Sequence, residues 1–424
     1  MYEEIEIFGE KVRVKNYACS SIKNNIVKQD VKLNLYIKIN DACNANCQFC
    51  SNRQMQDMGD IDLKKLEYVL KYFDERNLIG RISITGGEPM VNKDLCRIIS
   101  EITNLGIKAD MVTNATLLTE KKAIELQEAG LKRVRISIDE VDEESKVRGK
   151  TNPNTLWETA RMIVEKTNIQ LCIHTVCTPT NVKNLYNVYK KVLEIGAARW
   201  RVFDIGFQGN LVEDRSNFQL DTYYNDLIVS TKKILKDYLG NSRKDVLEME
   251  INNIFRTAFL DMEETEFSID ERWRARLDLS PCDYITKHQL SVRSNGEATL
   301  CQYFHNPIFD FAKSNYNVDE AVKKRIAFLE DEITMKDVKY CSKCKYCLVC
   351  NSGCRSRAKF LTGDICDADP GGCYLHPMVH NEIMSMLPNK VQRIYESLLL
   401  PNGLEPKYSF KDLKDFLKEK GYNV

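Results

Sequence analysis

Three thiols at short spacing, Cys43-x3-Cys47-x2-Cys50, stand in the run Asp41-Ala-Cys-Asn-Ala-Asn-Cys-Gln-Phe-Cys50, directly after an apolar segment at 33–39. A loop of that spacing can wrap thiolates round one face of an iron–sulfur cluster. Three protein ligands on a four-iron cluster leave one iron open to another molecule. Zinc would need a fourth nearby Cys or His to close its tetrahedron. The nearest candidates, Cys96 and His174, are far along the chain. A loop of unligated or zinc-binding cysteines is the alternative.

A second group holds more thiols. Of 16 cysteines, nine lie between Cys282 and Cys373, while Cys19, Cys96, Cys172 and Cys177 are scattered. In a reducing compartment, metal or cluster ligation explains such a load better than disulfides. Alone, Cys341-x2-Cys344 and Cys347-x2-Cys350 would also suit a zinc ribbon.

The elements that must position these thiols follow from length and pattern. A chain of 424 residues, 43% hydrophobic and 29% charged, is an ordinary globular composition with room for two domains. Lys plus Arg balance Asp plus Glu at 61 each, and no long basic block appears, so neither nucleic acid nor an anionic membrane is expected. The N-terminus has no signal pattern, and no apolar run approaches the roughly 18 residues that span a bilayer. The expected location is the cytoplasm. After a two-strand start at 5–14, strands at 33–39, 81–85, 107–113, 134–138, 171–176 and 200–205 alternate with helices at 63–73, 95–105, 119–130, 157–167 and 185–195. Six such units predict a parallel sheet covered by helices, although periodicity does not decide between an open sheet and a barrel. Cys43 follows the first of these strands, Gly86-Gly-Glu-Pro89 the second, Thr113-Asn-Ala-Thr116 the third and Asp139 the fourth. Strand C-termini are where βα barrels gather function.

The Cys43, Cys47, Cys50 loop followed by Gly86-Gly-Glu-Pro89 resembles the radical S-adenosylmethionine (SAM) superfamily over about 32–205. That resemblance implies a partial (β/α)6 TIM-like barrel. It also implies that the open iron chelates SAM, whose reductive cleavage yields a hydrogen-abstracting 5′-deoxyadenosyl radical. Gly86 and Gly87 are expected to let the backbone approach a ligand closely. Glu88 and the carbonyls of the turn closed by Pro89 resemble the part that binds the methionine amino group. Ser137 and Asp139 resemble positions touching the SAM ribose and carboxylate, and Arg148 the base steadying that carboxylate. Phe49 resembles the aromatic beside the adenine. A lone Arg in a charged stretch is otherwise solvated, and Phe49 otherwise packs by the cluster. Members often have Asn-Gly after the third strand. Here it is Asn114-Ala115, which weakens the case for a left-handed turn.

The second group, Cys282-x13-Gly296-x4-Cys301 followed by Cys341-x2-Cys344-x5-Cys350-x3-Cys354 and Cys373, resembles the SPASM extension of that superfamily. By resemblance, Cys282, Cys301 and Cys354 hold one auxiliary [4Fe–4S] cluster. Cys341, Cys344, Cys350 and Cys373 hold another, which makes three clusters in all. Cys347 and Cys366 fall outside the pattern, each either a fourth ligand of the first auxiliary cluster or a buried thiol. Arg293-Ser-Asn-Gly296 is expected to be a hairpin turn. The expected organisation is a short extension (1–31), a radical SAM barrel (32–235), a helical linker (236–279), a SPASM domain (280–376) and a helical tail (377–424).

SPASM proteins commonly modify ribosomally made peptides by crosslinks, thioethers, epimerisation or oxidation. Sulfatase maturation is disfavoured by Gln302, where that subfamily has Asp. About thirty residues before the barrel is too little for a leader-binding domain, so either a separate protein presents the peptide or the substrate is small. An electron donor such as flavodoxin or ferredoxin is implied. Arg201, Asp204, Gln302 and Tyr303 are candidate catalytic wall residues by position. A dehydrogenase of a small metabolite is the runner-up, and a non-catalytic cysteine-rich metal-binding scaffold the reading from another class. Cys96, Cys172, Cys177 and His174 are expected to be core residues.

Overall fold

A computed structural model of the chain describes residues 2–7, 10–15, 33–50, 59–64, 66–67, 70, 79–141, 148, 151–205, 222–241, 247–252, 254–261, 264, 268–277, 281, 289–299, 301–303, 307–311, 313, 333–422 and 424. Cys19 and Cys282 fall outside that set, as does most of the helix expected at 63–73. At the N-terminus, β1 (Tyr2–Ile7) and β2 (Glu10–Lys15) form an antiparallel hairpin of their own.

The other described strands form one sheet. Its strands are β3 (Leu33–Lys38), β4 (Ile79–Thr85), β5 (Lys108–Thr113), β6 (Arg133–Ser137), β7 (Gln170–Val176), β8 (Arg199–Phe203), β9 (Glu248–Ile251), β10 (Phe255–Arg256), β11 (Gln289–Val292), β12 (Glu297–Thr299) and β13 (Phe309–Asp310). Their order is β10-β9-β8-β7-β6-β5-β4-β3-β11-β12-β13, with every pairing from β11 through β3 to β9 parallel. The expected six-strand parallel core is present. The sheet is open: β10 and β13 form its two edges.

Each strand alternates. Leu35, Ile37, Ile82, Ile84, Met111, Ile136, Ile173 and Trp200 face the helices and are buried. The helix Leu95–Asn104 packs against β5 and buries Leu95, Ile98, Ile99 and Ile102, the spacing of one helical stripe. The helix Pro153–Lys166 begins before the expected 157, because Asn152 caps it and Pro153 supplies a preset first turn. The helix Leu185–Ile195 stops at Gly196, which takes φ 78°. Residues on the opposite, concave face are polar: Tyr36, Ser83, Asp110, Arg135, Cys172, His174, Arg201 and Glu250.

Three expectations change. The segment expected as a helical linker contributes β9 and β10 to the sheet before its helix Ile269–Leu277. The hairpin at Gly296 (φ 91°) forms, but β11 also pairs with β3, so the second cysteine region begins as a continuation of the barrel sheet. The start of the tail expected to be helical is broken into pieces. It runs through Pro370–Met378, a wide turn at Val379–Ile383, a tight turn at Met384–Met386 and then Asn389–Glu396. Pro388, which cannot donate a backbone bond, separates the last two. The final helix, Phe410–Glu419, buries Leu413 and Leu417. Among the described residues no helix is long and apolar enough to cross a membrane.

Candidate active site

Beyond β3 the chain keeps pairing with the segment after β4. Ile39 donates to Thr85 O, Gly87 to Asn40 O and Glu88 to Ala42 O, each at 2.9 Å. The cysteine loop and the Gly-Gly-Glu-Pro turn are therefore one paired unit. A Cβ on Gly87 would lie 2.4 Å from the carbonyl oxygens of Asp41 and Ala42, and one on Gly86 2.2 Å from Asn40 Oδ1. The close approach expected toward a ligand is made instead to the loop's own backbone. Asn40 completes the joint by donating to Ala42 O at 3.1 Å and Glu88 O at 2.9 Å. Pro89 opens a short 3-10 turn, Pro89–Val91, capped by the Glu88 side chain.

The Glu88 carboxylate is 1% exposed and turned inward. It accepts from Met90 N at 3.0 Å, Thr113 Oγ1 at 2.6 Å and Asn114 N at 2.7 Å. Burial pushes its pKa up, and these hydrogen bonds oppose the shift. The side chain thus ties the end of β4 to the end of β5. At that end Ala115 does take the left-handed conformation, φ 59°, without glycine. Its amide bonds Thr113 Oγ1 at 2.9 Å, and Asn114 Oδ1 accepts from Thr116 N at 3.1 Å, so local bonds hold the turn. Asn114 Nδ2 also reaches Asn44 Oδ1 in the cysteine loop at 2.8 Å.

Ser137 ends β6. Just beyond it, Asp139 accepts from Val176 N at 2.7 Å and from Arg148 Nη2 at 3.1 Å, with a second contact to Arg148 Nε. Arg148 is buried rather than solvated, and its guanidinium lies 4.9 Å from the Phe49 ring centre. Burial alone would raise the Asp139 pKa, and the Arg148 charge works against that. Phe49, Arg148 and Asp139 form a stack against the thiols. Burial pushes Cys47 up to about 11, with Arg148 opposing and Cys50, Asp139 and Cys43 adding to it.

The donor set can be tested against an iron–sulfur cluster on these contacts. Cys43 and Cys50 each raise the Cys47 pKa, so the three thiols lie within electrostatic reach of one another. In the second region, burial raises Cys341 and Cys350, and each is raised further by Cys344 and Cys373. Those four are the thiols that the SPASM resemblance groups together. Cys347, 1% exposed, also acts on Cys341. Burial lifts Cys373 to about 12; metal binding requires the thiolate and would reverse such shifts. Among the described residues no three His, Cys, Asp or Glu side chains already converge as a metal site. The all-sulfur donor chemistry fits an iron–sulfur group. Cys366 is half-buried near Asp364 and Asp337.

The wall candidates divide. Burial, with Cys301 and Cys354, raises the Tyr303 phenol to about 12; Gln302 bonds it and Arg201 opposes the shift. The Tyr303 carbonyl accepts from Ser356 Oγ at 2.9 Å, which ties it to the segment after Cys354. Asp204 instead accepts from Arg357 Nη1 and Tyr223 Oη, both at 2.7 Å. The same guanidinium binds both oxygens of Asp369 at 2.8 Å, and Asp369 Oδ2 accepts the Cys354 amide at 2.8 Å. Asp204 joins the barrel to the cysteine region.

Sequence reasoning passed over Lys38, Asn40 and Asn44. Lys38 is 3% exposed beside Cys50 and Arg293, and burial followed by Arg293 lowers it to about 8. Its place at the concave, C-terminal end of a strand was the available signal. Cys177 is buried as expected. Cys172, 1% exposed, is buried too, in register with Arg135 and Arg199, and His174 lies on that same face beside Ser137 and Arg201.

A family model described as the Radical SAM superfamily matches residues 37–191. The chain is 23% identical over 357 residues to a PqqA peptide cyclase of Bradyrhizobium diazoefficiens, covering 82% of this chain and 87% of that protein. Its fold is similar to Streptococcus suis SuiB bound to precursor peptide SuiA, with TM-score 0.54, 19% identity, and 78% and 73% of the two chains covered. It is also similar to anSMEcpe with bound AdoMet, with TM-score 0.62, 17% identity, and 86% and 100% covered.

Proposed function

We propose that this chain is a radical SAM enzyme that modifies a peptide by hydrogen abstraction, in line with the Radical SAM superfamily match over residues 37–191. The observation that carries the reading is the paired unit of cysteine loop and Gly86–Pro89 turn, with the Phe49–Arg148–Asp139 stack against its thiols. Cys43, Cys47 and Cys50 would hold a [4Fe–4S] cluster with SAM on the open iron, supplying on reduction a 5′-deoxyadenosyl radical. Around it, the residues here bind and orient. Arg148 offers charge to a carboxylate, Phe49 a ring face to the adenine, and Asn114, Ser137 and the turn's carbonyls polar contacts to the remainder. Two auxiliary clusters belong to the same proposal, one on Cys341, Cys344, Cys350 and Cys373, the other on Cys282, Cys301 and Cys354. The peptide class is supported by the peptide cyclase relative and by the likeness to SuiB. A flavodoxin or ferredoxin as donor, a separate leader-binding presenter and a cytoplasmic location complete the reading.

Anaerobic reconstitution with iron and sulfide tests it. About twelve irons per chain are expected from three four-iron clusters, with 5′-deoxyadenosine released under dithionite and no release from Cys43→Ala. Tight zinc with no SAM turnover would sink the proposal, and wild-type release from Cys43→Ala would sink the ligand assignment.

A further inference from the structure

The chain does not leave the second cysteine region after Cys373. Beyond the helix Asn389–Glu396 it doubles back, and residues 400–408 lie along the loop that carries Cys341 and Cys344. Leu400 N donates to Lys345 O at 2.9 Å, Lys345 N to Leu404 O at 2.8 Å, and Leu404 N to Lys343 O at 2.8 Å. Leu404 thereby forms a parallel bridge with Cys344, the residue between those two lysines. A Cβ on Gly403 would lie 2.6 Å from Lys345 Cα, so this close approach requires glycine. Next along the segment, Glu405 O accepts from Tyr340 Oη at 2.9 Å. Leu400 and Tyr408, at its two ends, pack on the apolar cluster that holds Cys341, Cys347 and Cys373.

One carboxylate fixes the far end of this segment. Asp367 accepts Lys407 Nζ on Oδ1 at 2.5 Å and Tyr408 Oη on Oδ2 at 2.7 Å. Asp367 is itself held from below. Ala368 N donates to its Oδ1 at 2.6 Å, and its carbonyl accepts from Nη1 of the fully buried Arg355 at 2.5 Å. The Tyr408 ring packs edge-on to Phe416 at 5.1 Å, which joins the anchor to the final helix. With both side chains tied to Asp367, the backbone amides of Tyr408 and Lys407 hydrogen-bond the Cys373 thiol and oppose the rise in pKa that burial gives it. Such bonds to a ligand sulfur are among the levers by which a protein sets the potential of an iron–sulfur group.

We propose that residues 400–408 are a clasp on the auxiliary cluster of Cys341, Cys344, Cys350 and Cys373, and that Asp367 is the positioning residue that keeps the Lys407 and Tyr408 amides on the Cys373 sulfur. The proposal rests on the cluster assignment above. Donors to a ligand sulfur stabilise the added negative charge of the reduced group, so the clasp raises its potential. The same bonds slow the loss of iron from that site.

The test uses the full chain, reconstituted anaerobically, as wild type, Asp367→Asn, Asp367→Ala and the double variant Lys407→Met/Tyr408→Phe. The double variant breaks the same anchor from the other side and leaves the bond between Asp367 and Arg355 in place, so it decides the matter if Asp367→Ala does not fold. An EPR-monitored redox titration should show one reduction step moved to lower potential in Asp367→Ala and in the double variant, with Asp367→Asn in between. In a chelator assay, about four irons should leave about tenfold faster than in wild type, the factor that one lost hydrogen bond to a charged group is worth. The remaining irons should leave at the wild-type rate. Unchanged potentials and release rates in the double variant overturn the clasp. A step that moves to higher potential overturns the role of the amides, since it reports water reaching the group rather than donors lost. Faster release of all irons together overturns the assignment to one cluster. A wild-type chain that takes up no iron–sulfur group counts against the radical SAM reading itself, whereas a fully loaded chain that ignores these substitutions counts against the clasp alone.

Discussion

Glu88 Oε2 accepts the backbone amide of Asn114 at 2.7 Å, so one carboxylate fixes the spacing between two strand ends that carry candidate SAM contacts. With Thr113 and Met90 on its other oxygen, it is a positioning residue. Glu88→Gln keeps the volume but turns one acceptor into a donor facing donors. A buried mismatch of that kind costs about 1–3 kcal/mol. We expect a lower thermal midpoint and weaker SAM binding by calorimetry. An unchanged pair of values would show that the clamp is dispensable.

Arg357 bridges Asp204 and Asp369 in a nearly closed site, with side chains 9%, 6% and 1% exposed. Arg357→Met leaves two buried carboxylates uncompensated, a loss of about 3–5 kcal/mol where a buried pair is broken. Urea unfolding followed by tryptophan fluorescence should show it. Adding Asp204→Asn should recover part of the loss, and strict additivity of the two changes would argue against a coupled triad.

Cys344→Ala should separate two processes. The thiols at Cys43, Cys47 and Cys50 remain, so 5′-deoxyadenosine release continues, while iron falls by about four atoms as one cluster is lost. Peptide conversion is expected to stop. Product formed at the wild-type rate, measured by mass spectrometry, would remove Cys344 from the essential set.

Glu250 gives an acid limb. Arg201 first, then Arg256, outweigh the effect of burial and hold its carboxyl at about 2, against 4.5 unperturbed. A depressed carboxylate stabilises the fold above its unfolded pKa and loses that contribution as pH falls toward the folded value. The contribution is on the order of 3 kcal/mol at neutral pH. Thermal unfolding of Glu250→Gln should therefore be less stable than wild type at pH 6, with the gap narrowing steadily below about pH 4.5. A gap that stays constant down to pH 3 would mean the ion pairs are not the source.

Several features are set by local sequence. The Cys43, Cys47 and Cys50 spacing is a local constraint on how one loop can wrap a group, and the alternation of strand and helix follows from side-chain period. The parallel sheet and the strand-end position of every motif were legible for that reason. In the second region the grouping of Cys341, Cys344, Cys350 and Cys373 came from the SPASM resemblance, and Cys344 and Cys373 act on both Cys341 and Cys350. What only the tertiary structure decided is which side chains meet across strands. Gly86 and Gly87 are small because Asn40 to Ala42 press on them. Arg148 leaves solvent because Asp139 and Phe49 enclose it. Asp204 becomes a joint because Arg357, 153 residues on, reaches it. The six arginines that pair with Asp110 and Glu250 come from three strands and the short β10, each unremarked in its own segment. Their shared ion pairs exist only once the sheet sets them side by side, because electrostatic interaction depends on distance in space and not on position along the chain.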